Sequence, residues 1–175
     1  MSDIAVFLDQ DGTLIDDTHI LPTVIEGLRL LKLKSIKLIV VTNQPGIARG
    51  ELTSQEVSST QSWLNRALKK HAATIDAFYV CPHVNDDHCV CRKPKAGLIT
   101  QAVTEWKIDV THSFIIGDFS WDILAGKQAG LRTILVKNAN RAEEELESII
   151  RDCQPDYVCD TLLAAAQKII LTLSL

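Results

Sequence analysis

No stretch of this 175-residue chain approaches the ~20 consecutive apolar residues of a membrane-crossing helix, and no basic segment near its start leads into a long apolar one. The expectation is a soluble cytoplasmic protein with no membrane partner. A block of lysine and arginine is also missing: 18 basic residues against 22 acidic ones leave a formal charge of −4. Binding a nucleic-acid backbone needs clustered positive charge, so nucleic acid is not an expected partner, whereas a small anionic metabolite needs only a few local cations. There is no internal repeat, no low-complexity tract and no linker rich in proline, glycine and serine. A chain of this length can bury one good core but not two ordinary ones, so a single domain spanning 1–175 is expected. Cysteines are few, five in all, an odd number mostly gathered in one short stretch. That suits metal ligation in a reducing compartment better than a disulfide framework.

What the chain does have is alternation. Short apolar runs at 4–8, 37–41, 77–80, 113–116 and 133–136 are mostly separated by segments of helical periodicity at 22–34, 53–71, 95–107, 121–129, 141–152 and 161–172. This predicts an α/β fold in which a parallel sheet is wound with helices, with Pro22 and Thr53 as helix starts. The stretch 162–175 is apolar on much of its circumference, which predicts a helix packed on the sheet or, less often, a dimer contact; a monomer or weak homodimer is expected. Each of the first four strands runs into polar residues: Asp9 and Asp11, Thr42 and Asn43, Cys81 and His83, Gly117 and Asp118. In a parallel sheet these positions share the carboxyl edge, where open α/β folds build their sites.

In Asp9-Gln10-Asp11-Gly12-Thr13 two carboxylates follow the first strand two residues apart. On an extended chain such residues share a face, so both acids are expected to approach one ligand. At ~4 Å they repel by about 4 kcal/mol at an effective dielectric near 20, which invites a hard divalent cation. A calcium loop of the EF-hand kind is excluded by the residues themselves. With Gly12 as the invariant glycine, the first ligand would be Phe7 and the closing acid Thr18, and neither can serve.

A second cluster is Cys81-Pro82-His83, five further residues, then Cys89-Val90-Cys91. Three thiolates and an imidazole on one short loop make a Cys₃His zinc set, and four protein ligands leave no open position, so the ion would be structural. His88 competes with His83 for the imidazole place; His83 is preferred because Cys-x-His mirrors Cys-x-Cys across the loop. Cys153 and Cys159 lie outside the cluster and are read as buried thiols.

Four motifs in order, Asp9-Gln10-Asp11-Gly12-Thr13, Val41-Thr42-Asn43-Gln44, Arg92-Lys93-Pro94-Lys95 and Gly117-Asp118-x-x-x-Asp122, give the chain a resemblance to the phosphatase branch of the haloacid dehalogenase (HAD) superfamily. The resemblance implies a three-layer Rossmann-like fold and a magnesium-dependent phosphomonoester hydrolase acting on a small phosphorylated metabolite. Asp9 would be the nucleophile that forms an aspartyl-phosphate, and Asp11 the general acid and then base. Asp9, the backbone carbonyl of Asp11 and Asp118 would hold magnesium; Thr42, backbone amides near Asn43 and Lys93 would bind the phosphoryl group. Asp122 would orient Lys93 or a metal-bound water. Asn43 follows Asp11 by only 32 positions, too few for a large cap domain. The chain is therefore similar to the cap-less zinc-loop members, which include heptose bisphosphate phosphatases and histidinol-phosphate phosphatases. The run from Thr42 to Gly50 resembles the former, while the five-residue gap from His83 to Cys89 and the short stretch 16–21 depart from it. On this resemblance the expected reaction is removal of the 7-phosphate of D-glycero-D-manno-heptose 1,7-bisphosphate, with histidinol phosphate or another small sugar phosphate as the alternative. Arg49 and Arg92 would offer planar guanidinium forks to phosphate oxygens.

Overall fold

The structure, a computed structural model, describes residues 3–175. A six-stranded sheet is made of β1 (Ala5–Leu8), β4 (Lys37–Asn43), β5 (Ala77–Cys81), β6 (Phe114–Gly117), β7 (Arg132–Val136) and β8 (Tyr157–Cys159), in the order β5-β4-β1-β6-β7-β8. Every pairing in it is parallel. A small antiparallel ribbon, β2 (Ile15–Asp16) with β3 (His19–Ile20), follows β1. Six helices complete the fold: α1 (Val24–Leu33), α2 (Ser54–Lys69), α3 (Gly97–Trp106), α4 (Ser120–Gln128), α5 (Glu143–Cys153) and α6 (Leu162–Leu173). None of them is long and apolar enough to cross a membrane.

The inner strands β1, β4, β6 and β7 are buried on both faces, and their side chains alternate between opposite sides of the sheet. Val6 and Leu8 of β1, Leu38 and Val40 of β4, and Phe114 and Ile116 of β6 pack with α1, α2 and α6 through Leu28, Leu31, Leu64, Leu68, Ala165 and Ile169. Ala5 and Phe7, Ile39 and Val41, and Ile115 face the opposite core with Leu98, Ile99 and Ala102 of α3 and Ala125 of α4. The apolar C-terminal segment is thus a packed helix, seated on α1 where Gly27 gives it room: a Cβ there would stand 2.5 Å from Leu162.

The chain departs from expectation in several places. β4 continues to Asn43, because Thr42 and Asn43 still pair with Val80 and Cys81 of β5. β8 and the β2–β3 ribbon are too short for their alternation to stand out in the sequence. Helix α1 starts at Val24, two residues after Pro22, since Thr23 takes a left-handed conformation (φ 65°) and makes no side-chain cap. Helix α5 starts at Glu143, which leaves Arg141 in the preceding loop, while Thr53 does cap α2 by accepting from Glu56 N at 3.1 Å. β1 lies between β4 on one side and β6 on the other, so its carboxyl end marks the point where the chain's winding reverses. Clefts form at such switch points.

Candidate active site

Three buried carboxylates and one buried ammonium meet at that point. Asp9 follows β1, Asp118 follows β6, and Asp122 lies one turn into α4; each offers a ligand oxygen within 4.8 Å of the others. Lys93 is 2% exposed, and its ammonium donates to Asp9 Oδ1 at 2.7 Å, Asp122 Oδ1 at 2.6 Å and the Val41 carbonyl at 2.8 Å. An ammonium has three protons, and all three are used. The Lys93 backbone is fixed as well, by the side-chain amide of Asn43, whose oxygen accepts from Lys93 N at 3.0 Å and whose nitrogen donates to Lys93 O at 3.1 Å. The Asn43 side chain is therefore committed to Lys93.

Burial raises the Asp9 carboxyl to about 7; the charges of Asp122 and Asp118 add to this and Lys93 opposes it. Burial also raises Asp122, against the pull of Lys93. For Lys93, burial works against the ammonium, but the charges of Asp122 and Asp9 outweigh it and hold its pKa above the ordinary lysine value. Asp122 Oδ2 accepts from Phe119 N at 3.2 Å and so closes the first turn of α4. Gly117 permits this arrangement, since a Cβ there would stand 2.3 Å from Asp122.

The carboxylate of Asp118 is gripped at Oδ2 by Asn138 Nδ2 at 2.8 Å and Arg141 Nη2 at 3.1 Å. The Arg141 guanidinium lies 4.3 Å over the Phe119 ring and also pairs with Glu145. Gly12 closes the floor beneath: with φ +83° it takes a conformation that suits glycine, and a Cβ would stand 2.6 Å from Asp118 Oδ2. Among the described residues, Asp9 Oδ2 and Asp118 Oδ1 accept no hydrogen bond from protein. These two oxygens are the ones open to a cation, and an all-oxygen donor set suits magnesium.

Asp11 stands outside the group of three acids. The strand ends at Leu8 and the chain bends at Gln10, so the extended geometry that would put i and i+2 together is lost. Its carboxylate is turned to glutamines instead, accepting from Gln44 Nε2 at 2.6 Å and Gln10 Nε2 at 3.4 Å. Thr42 Oγ1 accepts from the same Gln44 amide at 3.2 Å.

The cysteine and histidine side chains converge on one point. Cys89 Sγ stands 3.6 Å from Cys91 Sγ and 3.7 Å from Cys81 Sγ, His83 Nδ1 stands 3.6 Å from Cys81 Sγ and 3.3 Å from Cys91 Sγ, and Cys81 and Cys91 are 3.0 Å apart. Sulfurs ligating one tetrahedral zinc at ~2.3 Å are ~3.8 Å apart, so the set fits that ion with a small widening between Cys81 and Cys91. Burial and the neighbouring Cys91 push the Cys81 thiol up to about 12, so a thiolate forms there when a cation arrives. His88, the alternative imidazole, is outside the group and caps the 3₁₀ turn Asn85–Asp87. The loop is tied to the carboxyl edge through Gln44 N to Cys81 O at 2.8 Å and Ala48 N to Pro82 O at 3.2 Å. Arg92 bonds Asn85 Oδ1 at 2.7 Å and His83 O at 3.1 Å within the loop, while exposed Arg49 is paired with Glu51 at 2.7 and 2.8 Å.

Residues 6–72 match the family model for haloacid dehalogenase-like hydrolases, and residues 90–165 match that for HAD-hydrolase-like proteins. A D-glycero-beta-D-manno-heptose-1,7-bisphosphate 7-phosphatase of Haemophilus influenzae is 36% identical over 175 aligned positions, covering 91% of this chain and 92% of that one. The chain belongs to the haloacid dehalogenase superfamily. Another relative of that name, from Pasteurella multocida, is also 36% identical and covers 90% of this chain and 92% of its own. The crystal structure of D,D-heptose 1,7-bisphosphate phosphatase from B. bronchiseptica, complexed with magnesium and phosphate, matches with a TM-score of 0.83 at 26% identity, over 97% of this chain and 99% of that one. This HAD protein is a phosphatase.

Reading the HAD motifs alone left out Gln10, Gln44, Gln61, Asn138 and Arg141. Gln44 stands inside a quoted motif and Gln10 between the two acids, so proximity was the available signal for both. Asn138 and Arg141 come from the loop after β7, the next strand along the same carboxyl edge, and that placement was the only hint.

Proposed function

We propose that this phosphatase removes the 7-phosphate of D-glycero-D-manno-heptose 1,7-bisphosphate through a phosphoaspartate on Asp9. The observation that carries the reading is the Lys93 ammonium held at 2.7 and 2.6 Å from Asp9 and Asp122, in a chain 36% identical to relatives of that name over 90% of its length or more. The Asp9 carboxylate attacks phosphorus in line through one oxygen, leaving the other for the metal. As that bond forms, the bond from phosphorus to the sugar oxygen breaks, and Asp11 gives its proton to the departing oxygen. Asp11, now a carboxylate, takes a proton from the water that next attacks phosphorus, which frees inorganic phosphate and restores Asp9.

Lys93, the Thr42 hydroxyl and backbone amides around Asn43 hold the phosphoryl oxygens as charge spreads over them. Lys93 can turn to them because esterified Asp9 no longer competes as an anion. Asp122 keeps the ammonium aimed. Magnesium, held by Asp9, Asp118 and the carbonyl of Asp11, supplies the positive charge that offsets the clustered acids and the phosphoryl group. Zinc on Cys81, His83, Cys89 and Cys91 fixes the loop that leads into Arg92 and Lys93. Arg92 and Arg49 are the forks available to the substrate's second phosphate, once released from Asn85 and Glu51.

Replacing Asp9 by asparagine keeps the shape and removes the nucleophile, so turnover should fall by about 10⁴-fold or more with folding intact. A protein that keeps its rate would refute the assignment. Purified protein with magnesium, tested on heptose 1,7-bisphosphate, histidinol phosphate and a panel of sugar phosphates, decides the substrate. A clear preference for the heptose is expected, and a preference for histidinol phosphate would overturn it.

A further inference from the structure

The buried stripe of α2 is apolar except at one position. Val57, Gln61, Leu64 and Leu68 are its buried residues, and Gln61 is 9% exposed. Spacing of this kind calls for an aliphatic side chain at 61, and burying an amide there costs roughly 1–3 kcal/mol unless it is hydrogen-bonded. Gln61 Nε2 donates to Gln10 Oε1 at 3.3 Å, and Gln10, itself 3% exposed, donates onward from Nε2 to Asp11 Oδ1 at 3.4 Å. Gln44 Nε2, from the end of β4, reaches the other oxygen, Asp11 Oδ2, at 2.6 Å. The direction of the chain is set by its end. A carboxylate only accepts, so Gln10 must present nitrogen to Asp11 and oxygen to Gln61.

We propose that Gln61 is a positioning residue that acts through Gln10, opposite Gln44, to aim the Asp11 carboxyl at the leaving-group oxygen. This rests on the reading of Asp11 as the proton donor. Asp11 is exposed at the rim of the site, and among the described residues its two oxygens are steadied by two amides, Gln10 from the loop after β1 and Gln44 from the end of β4. Gln44 makes the short bond and sets the position. The two longer bonds of the Gln61–Gln10 arm set the tilt of the carboxyl plane. A general acid contributes about 10²–10⁴-fold, but only where the leaving oxygen is basic enough to need a proton. Loss of aim should therefore be felt by alkyl phosphates and barely felt by aryl phosphates whose phenolate leaves unaided.

The experiment is a rate series on magnesium-loaded protein, from p-nitrophenyl phosphate through phenyl phosphate to simple alkyl phosphates, for wild type, Gln61→Met, Gln61→Glu, Asp11→Asn and the double variant Asp11→Asn/Gln61→Met. Met keeps the length and Glu keeps the size and polarity, so one of the two reports even if the other folds poorly. For Gln61→Met, kcat/KM, which reports only the steps up to departure of the leaving group and not the later attack of water, should fall roughly tenfold on alkyl phosphates and less than about threefold on p-nitrophenyl phosphate, giving a steeper dependence on the leaving group. In the Asp11→Asn background the Gln61 change should add nothing. An equal fall on every ester, or an effect that persists without Asp11, would mean that Gln61 only packs the helix and would overturn the proposal. If Asp11→Asn itself fails to steepen the series, the proton-donor reading falls first, a result distinct from failure of the arm alone.

Discussion

Replacing Asp122 by alanine tests the electrostatic balance of the site, because the expected cost depends on magnesium. Asp122 Oδ1 lies 2.6 Å from the Lys93 ammonium, an attraction of about 6 kcal/mol at an effective dielectric near 20. Its ligand oxygen also lies within 4.8 Å of those of Asp9 and Asp118, so each of those acids repels it by about 3 kcal/mol or more on the same scale. Without a metal the two repulsions together cancel the attraction. What alanine then removes is one charge-assisted bond to Lys93 and the acceptor of Phe119 N, together about 2–4 kcal/mol. Bound magnesium offsets the mutual repulsion of the acids, so Asp122 contributes its attraction to Lys93 nearly undiminished and its loss should cost more. Urea titrations with and without Mg²⁺ measure this directly, and for a chain of this size each kcal/mol corresponds to about 2–4 °C in Tm. The deficit of Asp122→Ala should widen when Mg²⁺ is added, and Asp122→Asn, which retains an acceptor for Lys93, should recover part of it. A deficit that shrinks with Mg²⁺ would refute the reasoning.

Three further outcomes follow from the same geometry. Gly12→Ala places a Cβ 2.6 Å from Asp118 Oδ2 on a backbone with φ +83°, and should lower stability by about 1–3 kcal/mol and weaken Mg²⁺ binding in calorimetry. Stripping zinc with a chelator should speed hydrogen exchange in residues 81–95 and reduce turnover in a way that added Mg²⁺ does not restore; full activity without zinc would contradict a positioning role for the loop. The Asp9 carboxyl sits at about 7 in the metal-free fold against an ordinary value of 3.8, so between those values the folded state binds more protons than the unfolded state. Stability of the metal-free protein should therefore fall as pH rises from about 4 through 7, while Mg²⁺, which needs the carboxylate, should bind more tightly over the same rise and release a proton detectable by calorimetry in buffers of different ionisation enthalpy.

The sheet was legible because its strands are buried on both faces: runs such as Val6-Phe7-Leu8 and Leu38 to Val41 stand out however the helices pack. The edge strand β8 was not, since three residues with Val158 exposed carry no readable alternation. Asp9, Lys93, Asp118 and Asp122 could be grouped from the rule that parallel strands end at one edge, and the structure brings them together. The rule says nothing about side-chain direction, which is why the hold of Gln10 and Gln44 on the Asp11 carboxylate was not legible. Arg49 and Arg92 show the same limit: a guanidinium fork in the sequence does not reveal that Glu51, or the carbonyl of His83, already fills it. The Asn43 side chain was equally opaque, because nothing in Thr-Asn-Gln announces a clamp on a backbone 50 residues away.

The role of Lys93 argues for a site assembled before substrate arrives. Its three acceptors come from three elements, Asp9 after β1, Val41 within β4 and Asp122 in α4, so the ammonium acts as a joint among them. A planar guanidinium could not direct single protons to three separated oxygens from one point, whereas a tetrahedral ammonium does. Burial alone would strip the charge from a lysine. Here two carboxylates keep it charged, and the same two are kept from full mutual repulsion by it. Neither the acids nor the cation is stable in this place without the other, so folding must bring the motifs together as a set. Asp118 is steadied separately by Asn138 and Arg141, which leaves Asp9 Oδ2 and Asp118 Oδ1 as the oxygens that face an incoming ion and a phosphoryl group. The positive charge of the site is thus divided between two fixed cations, Lys93 set against Asp9 and Asp122 and Arg141 against Asp118, and the gap between Asp9 and Asp118 is the position where an added positive charge gains most.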